Sequence, residues 1–138
     1  MWAEILRNMD IKTHKLANKS LLGTPISIIE GASAIVELIT DDSMMVDEKG
    51  LVHGGFAFGL ADYAAMLAIN HPNVVLGGSE SRFIAPVRKG EKMRAEAHIE
   101  LAEGRKHVVT VEISVNENKI FIGVFTCYVL YSHVLDKS

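Results

Sequence analysis

The chain has 138 residues, 49% of them hydrophobic and 22% charged, and its formal net charge is -3. This length allows one domain with a substantial core and is too short for two ordinary domains. The net charge shows no basic excess that would favour nucleic acid or an anionic membrane as a partner. A single cysteine, Cys127, excludes an internal disulfide and a cysteine-based zinc site. Because no secretory signal opens the chain, we expect a cytoplasmic, single-domain protein with a small ligand.

The first part of the chain predicts short elements. Residues 1–22 mix charged and apolar positions, which indicates one or two helical turns. Residues 24–40 are rich in β-branched side chains around the break Glu30-Gly31, which predicts two strands joined as a hairpin. The acidic stretch 41–50 predicts a loop.

Residues 51–69 predict a buried helix that begins at the sequence His53-Gly54-Gly55. The stretch is rich in Ala, Leu and Met and is apolar on nearly all sides, which is typical of a helix enclosed by other structure. The only formal charge between His53 and Asn70 is Asp62. Burying that carboxylate costs several kcal/mol unless it is paired, hydrogen-bonded or protonated.

The second half of the chain predicts long strands. Residues 74–87 form the first, with a bulge or a close approach at Gly77-Gly78. Residues 92–101 alternate strictly, which places Leu101 with the buried side chains. Further strands are predicted over 109–115 and 120–131. About six antiparallel strands and one helix that is apolar all round predict an α+β fold in which a long curved sheet wraps around the helix.

The predicted helix also carries two groups that could act on a carbonyl. Backbone N–H groups at its start, on Gly54 and Gly55, have no partner within the helix and can polarise a carbonyl oxygen, and Asp62 supplies a carboxylate. With about 1.5 Å of rise per residue, these groups lie roughly 10 to 12 Å apart, whereas a reacting carbonyl must lie about 3 Å from each. The two groups that act on one substrate must therefore come from two copies in a twofold dimer.

Three sequence motifs resemble the hotdog-fold acyl-CoA thioesterases of the phenylacetate-degradation (PaaI-like) type. They are GLVHGG at residues 50–55, LAD at 60–62 and FIAPVRKGE at 83–91, and the resemblance runs over residues 24–130. It implies hydrolysis of a coenzyme A thioester by a homodimer assembled into a tetramer, with the acyl chain between subunits. No metal or cofactor is implied other than the coenzyme A of the substrate.

By position, the resemblance makes Asp62 the catalytic carboxylate and the Gly54 N–H the group that polarises the thioester carbonyl. His53 and Gly55 would shape the start of the helix. The family often has Asn where this chain has Asp47, and Arg where this chain has Ala85. Candidate contacts to the substrate are Asp47, Ser79, Ser81, Arg82, Arg88 and Lys89.

Other interpretations remain open from the sequence. Asp62 could form a structural ion pair with Arg82 or Arg88. The protein could be a non-catalytic acyl-CoA-binding or regulatory module that uses the same tunnel, or a hydratase acting on an enoyl or hydroxyacyl thioester. A hydratase would need a differently placed pair of His and carboxylate side chains. The route of hydrolysis is also open, since the carboxylate can activate water or attack directly.

Overall fold

A six-stranded antiparallel sheet encloses a central helix in the computed structural model, which describes residues 9–136. The strands are β1 (Thr24–Ile29), β2 (Ser33–Ile39), β3 (Val74–Phe83), β4 (Lys92–Glu103), β5 (Lys106–Val115) and β6 (Asn118–Val129), in the spatial order β1-β2-β4-β5-β6-β3. The helices are α1 (Lys19–Leu22) and the long α2 (Gly54–Ile69), and a short 3-10 turn spans Asp42–Met44. Helix α2 contacts all six strands, which requires the sheet to curve around it.

Helix α2 is buried on almost every side, as its composition predicts. Leu60, Ala61 and all five residues from Ala64 to Ala68 have no exposed surface. The helix ends at Asn70, which adopts a left-handed conformation with φ of 54°, and Pro72 follows. The predicted stop is therefore confirmed, because proline cannot continue a helix.

The hairpins follow the turn signals in the sequence. Gly31 lies between β1 and β2, and Gly104, with φ of 60°, lies between β4 and β5. Asn116 and Glu117 join β5 to β6 with φ of 49° and 69°, the primed turn geometry typical of two-residue hairpins. The bulge predicted at Gly77-Gly78 is also confirmed, because the register between β3 and β6 shifts between Leu76 and Gly78.

Some boundaries and one core assignment differ from the prediction. Strand β3 ends at Phe83 instead of continuing to residue 87, and β6 ends at Val129. A bulge between Ile99 and Leu101 reverses the alternation of β4, so Leu101 is 44% exposed and its predicted burial is wrong. Of the helical turns predicted over residues 1–22, the structure shows α1, and residues 1–8 lie outside the described part.

Candidate functional site

The start of helix α2 leaves one backbone donor available. His53 caps the helix, and its Nδ1 accepts a hydrogen bond from the Gly55 N–H at 2.7 Å. Gly54 is the first helical residue, so its N–H has no acceptor within the helix. Among residues 9–136 no other backbone carbonyl accepts from it. Of the two predicted donors, Gly54 is free and Gly55 is engaged by His53.

Gly54 lines a largely apolar cavity of about 330 Å³. Its walls include Leu51, His53, Phe83, Ile84 and Pro86. The Phe83 ring packs directly against Gly54, where an added Cβ would lie 3.2 Å from the ring Cε1. Sequence reasoning did not assign a role to Phe83, because its position beside Gly54 depends on the pairing of β3 with β6 and gives no local signal.

Asp62 is a half-buried residue whose carboxylate has one buried oxygen without a partner in residues 9–136. Its Oδ1 is inaccessible to solvent and accepts no hydrogen bond within the described residues. Desolvation by burial raises the pKa of Asp62 from 3.8 to about 6. Neither Arg82 nor Arg88 forms an ion pair with it in the described part of the chain, so the structure does not contain the alternative structural ion pair.

This raised pKa predicts that Asp62 destabilises the folded protein at neutral pH. A folded-state pKa above the unfolded value means that the folded state binds more protons between about pH 4 and 6, so its stability falls as pH rises through that range. We expect Asp62→Asn to stabilise the protein by about 2 to 3 kcal/mol at pH 8, with the gain shrinking toward zero below about pH 4. Urea unfolding of both proteins at matched concentration and several pH values measures this difference. An equal difference at every pH would contradict the prediction.

Cys127 lies in the electrostatic field of Asp62. The pKa of the Cys127 thiol is raised to about 12, mainly by burial and to a smaller extent by the negative charge of Asp62. The thiol donates to the Phe125 carbonyl at 3.8 Å and is fully buried. Because the thiolate is the nucleophilic form, Cys127 is a packed thiol at neutral pH.

Asp62 does not line the cavity at Gly54. Both residues belong to the same helix, eight residues apart, which corresponds to about 12 Å along its axis. The structure of one chain therefore does not bring the predicted catalytic carboxylate and the predicted carbonyl-binding N–H to a common point.

The two candidate serines and Arg82 lie on opposite faces of β3. Ser79 and Ser81 pair with Phe125 and Gly123, two buried positions on the helix-facing side of β6, and the two serine hydroxyl oxygens are 2.7 Å apart. Arg82 pairs with Ile122 and points to the outer face of the sheet. The structure thus brings the two serines together on the concave face and places Arg82 away from them.

The remaining candidates lie in loops near the start of α2. The Asp47 Oδ1 accepts from the backbone N–H groups of Lys49 and Leu51, so this carboxylate organises a turn. Lys89 forms an exposed ion pair with Asp42 at 2.9 Å, and the Arg88 side chain is exposed. The binding roles of Asp47, Arg88 and Lys89 stay predictions.

Residues 9–136 contain neither a cluster of metal ligands nor a membrane-spanning helix. No three His, Cys, Asp or Glu side chains in this range are grouped as metal ligands would be. No helix in the same range has the length and hydrophobicity that crossing a bilayer requires.

Comparison with known proteins defines the family. Residues 49–121, which contain α2 and the free Gly54 N–H, match the model of the thioesterase superfamily. The chain belongs to this superfamily, and its sheet wrapped around one helix is the hotdog fold, as the sequence resemblance predicted.

Individual relatives differ in name and length. The chain is 47% identical over 117 residues to methylthioribose-1-phosphate isomerase of Aquifex aeolicus, a match that covers 85% of this chain and 25% of that protein. It is 28% identical to the transcription factor FapR of Caldanaerobacter subterraneus subsp. tengcongensis, covering 81% of this chain and 62% of FapR. The chain therefore spans a quarter of the first relative and about three fifths of the second.

Solved structures agree on the fold. The crystal structure of the uncharacterized protein PH1136 from Pyrococcus horikoshii is 55% identical, with a TM-score of 0.90, covering 93% of this chain and 98% of that one. A mutant structure of the phenylacetic acid degradation protein PaaI from Thermus thermophilus has a TM-score of 0.73 at 24% identity, covering 81% and 97% of the two chains, and shares the fold.

Proposed function

We propose that this protein hydrolyses acyl-CoA or a related acyl thioester, at sites that combine Asp62 of one copy with the Gly54 N–H of another. The observation that carries the proposal is the Asp62 Oδ1, which is buried without a partner among residues 9–136 and belongs to a helix that is otherwise almost entirely apolar. A structural carboxylate in such surroundings would normally be paired, so its lack of a partner supports a functional role.

The chemistry of Asp62 suits a general base. Its pKa of about 6 leaves the carboxylate ionised at neutral pH and still basic enough to accept a proton from water. The oxygen of that water attacks the thioester carbonyl carbon, and the carbonyl oxygen becomes an oxyanion that accepts a hydrogen bond from the Gly54 N–H. The C–S bond then breaks, and the proton held by Asp62 passes to the departing thiolate.

Direct attack is the second route open to the same carboxylate. One Asp62 oxygen would bond to the carbonyl carbon and expel the thiolate, leaving a mixed anhydride that water hydrolyses. Both routes use the same two groups, and both need the oxyanion at the Gly54 N–H. Variants of Asp62 and Gly54 therefore test the carboxylate and the N–H that both routes require.

The cavity at Gly54 supports a substrate with an apolar segment. The side chains around it are largely apolar, and no Lys, Arg, Asp or Glu belongs to its walls. It suits an acyl chain or an uncharged linker. The phosphates of coenzyme A would lie outside it, and Arg82, Arg88 and Lys89 remain the predicted contacts.

A second candidate function is a non-catalytic module that binds acyl thioesters. The relationship to the transcription factor FapR favours it, because that relative is named for regulation and not for hydrolysis. This module would use the same cavity without turnover.

A thiol-release assay with short, aromatic and long acyl-CoAs separates the two functions. We expect the protein to release free thiol from at least one class, with saturation kinetics. Binding of these compounds, followed by calorimetry, without release from any of them would favour the binding module and contradict the hydrolase.

A further inference from the structure

The side chain of Phe58 lies between the two groups that the proposed reaction uses. Phe58 follows Gly54 by four residues and precedes Asp62 by four, so the three positions share one face of α2. The helical rise places Phe58 about 6 Å along the axis from each of the other two. The ring is only partly buried, so part of its surface is accessible to a ligand.

The Phe58 ring has a fixed support in the core. Its centroid is 5.5 Å from that of Phe125 on β6, and the Phe125 ring is 6.4 Å from that of Phe121 on the same strand. Both rings of β6 are fully buried. Gly123 lies between them, and an added Cβ at this glycine would lie 2.8 Å from the Phe125 Cε1. Because these rings fill the space beside the strand, a ligand that meets Phe58 cannot push it into the core.

The same face of α2 is closed on the other side of Asp62. The side chains three, four and seven positions after Asp62 belong to Ala65, Met66 and Ile69, and all three are buried. A ligand group next to Asp62 therefore has no room to extend toward the end of the helix. In the opposite direction Gly59 has no side chain, and the first side chain on this face is the apolar, partly accessible ring of Phe58.

We infer that Phe58 determines which acyl groups the protein accepts, by closing the pocket for the acyl group so that short chains fit and long chains do not. The inference rests on the proposed function, in which each site takes Asp62 from one copy and the Gly54 N–H from another. It deepens that function by naming the substrate class, short-chain acyl thioesters, and the residue that selects it.

In the proposed arrangement, Phe58 separates the two sites of a twofold pair. Each copy gives Asp62 to one site and Gly54 to the other, so the part of α2 between these residues runs from one site to the next. Phe58 stands midway, about 6 Å from the level of either site. An acyl chain that extends along α2 from one carbonyl contacts this ring before it reaches the second site.

The chemistry of the ring indicates which part of the substrate it contacts. An apolar ring is suited to the hydrocarbon of an acyl chain and not to the polar linker of coenzyme A. The cavity at Gly54, whose walls do not include Phe58, is then left for that linker. The acyl chain and the linker thus extend from the carbonyl in different directions.

Shortening the Phe58 side chain tests the inference. We expect wild-type kcat/KM to be at least about tenfold higher for butyryl-CoA than for octanoyl-CoA, and Phe58→Ala to raise the relative kcat/KM for octanoyl-CoA at least about tenfold, because the chain gains the space of the ring. Phe58→Leu keeps an apolar contact with Phe125 and should change the ratio in the same direction. Thiol release measures the ratio, and circular dichroism confirms that each variant folds.

Phe56→Ala is the matched control. Phe56 is also a partly buried phenylalanine of α2, but it lies about 200° around the helix from Phe58. Its ring is 6.3 Å from that of His53. This variant should leave the ratio within about threefold of the wild type, as expected for a residue that does not touch the acyl chain. Folded Phe58 variants with the wild-type ratio, or a wild type that prefers octanoyl-CoA, would overturn the inference.

Binding separates this inference from the proposed function. S-butyl-CoA and S-octyl-CoA are thioethers without a carbonyl, so they bind without being hydrolysed. Calorimetry should show tighter binding of S-butyl-CoA to the wild type, and Phe58→Ala should reduce this preference. If it does so in a protein that hydrolyses no thioester, the inference stands and the proposed function fails. An equal reduction by Phe56→Ala would show that Phe58 has no particular role, and the inference would fail.

Discussion

Asp62→Asn is expected to lower kcat for thioester hydrolysis by about 10² to 10⁴-fold, the usual contribution of a positioned general base. Asparagine has the same shape, so the apolar surroundings of the helix should still accept it, but its amide cannot take a proton from water or attack as a carboxylate. KM should change little, because the proposed role of Asp62 is to activate the attacking water and not to hold the substrate. Steady-state thiol release with the best acyl-CoA measures both constants.

The stability of this variant separates a chemical effect from a structural one. Because the Asp62 Oδ1 is buried and has no partner in the described part of the chain, Asp62→Asn should be at least as stable as the wild type at neutral pH, so a loss of activity cannot come from unfolding. Glu96→Gln removes an exposed carboxylate on the outer sheet and should leave kcat within about twofold of the wild type, as expected for a distant surface change. An Asp62→Asn protein with kcat within threefold of the wild type would remove the basis of the proposed mechanism.

Gly54→Pro is expected to lower kcat by about 10² to 10³-fold, the usual cost of losing one oxyanion donor. Proline removes the N–H and is well tolerated at the first position of a helix. His53 precedes it with φ of -62° and ψ of 132°, the extended conformation that a residue before proline requires. The substitution should therefore remove the donor while the helix still forms.

Gly54→Ala is the control for the added side chain. Its Cβ would lie 3.2 Å from the Phe83 ring, which is 57% exposed and can move aside. Because alanine keeps the N–H, kcat should stay within about tenfold of the wild type, less than the loss of an oxyanion donor. Circular dichroism and thermal unfolding confirm that both variants fold. Equal activity of the alanine and proline variants would show that the Gly54 N–H does not act on the carbonyl.

Several elements could be predicted because their signals are local. The hairpin turns depend on glycines and on Asn116-Glu117, and the end of α2 depends on the residues around Pro72. The all-round apolar composition of α2 indicated that a sheet must wrap around it, and the structure confirms this. Leu101 was assigned wrongly because a bulge adds one residue and reverses the alternation, which the spacing of apolar residues in one strand does not reveal.

For the candidate site too, some features follow from the sequence and others only from the tertiary structure. The sequence indicated that Gly54 begins a helix and that Asp62 is its lone charge. The helical rise separates the two groups by about 12 Å, so they could act on one substrate only from different copies. That His53 occupies the Gly55 N–H and that Phe83 packs on Gly54 follow from side-chain direction and strand pairing, which are tertiary properties. That no ion pair to Asp62 forms among residues 9–136 also needed the structure, since Arg82 could be excluded only once the face of β3 was known.

The sequence by itself determined which elements form and which residues are candidates for the site, because helix periodicity, turn residues and the cost of a buried charge act over short stretches of chain. The tertiary structure decided the strand order, which places β3 at one edge of the sheet, because pairing between distant segments depends on packing around the helix. It also decided that the Asp62 Oδ1 accepts no hydrogen bond from residues 9–136, since its partners depend on which groups the fold brings near it.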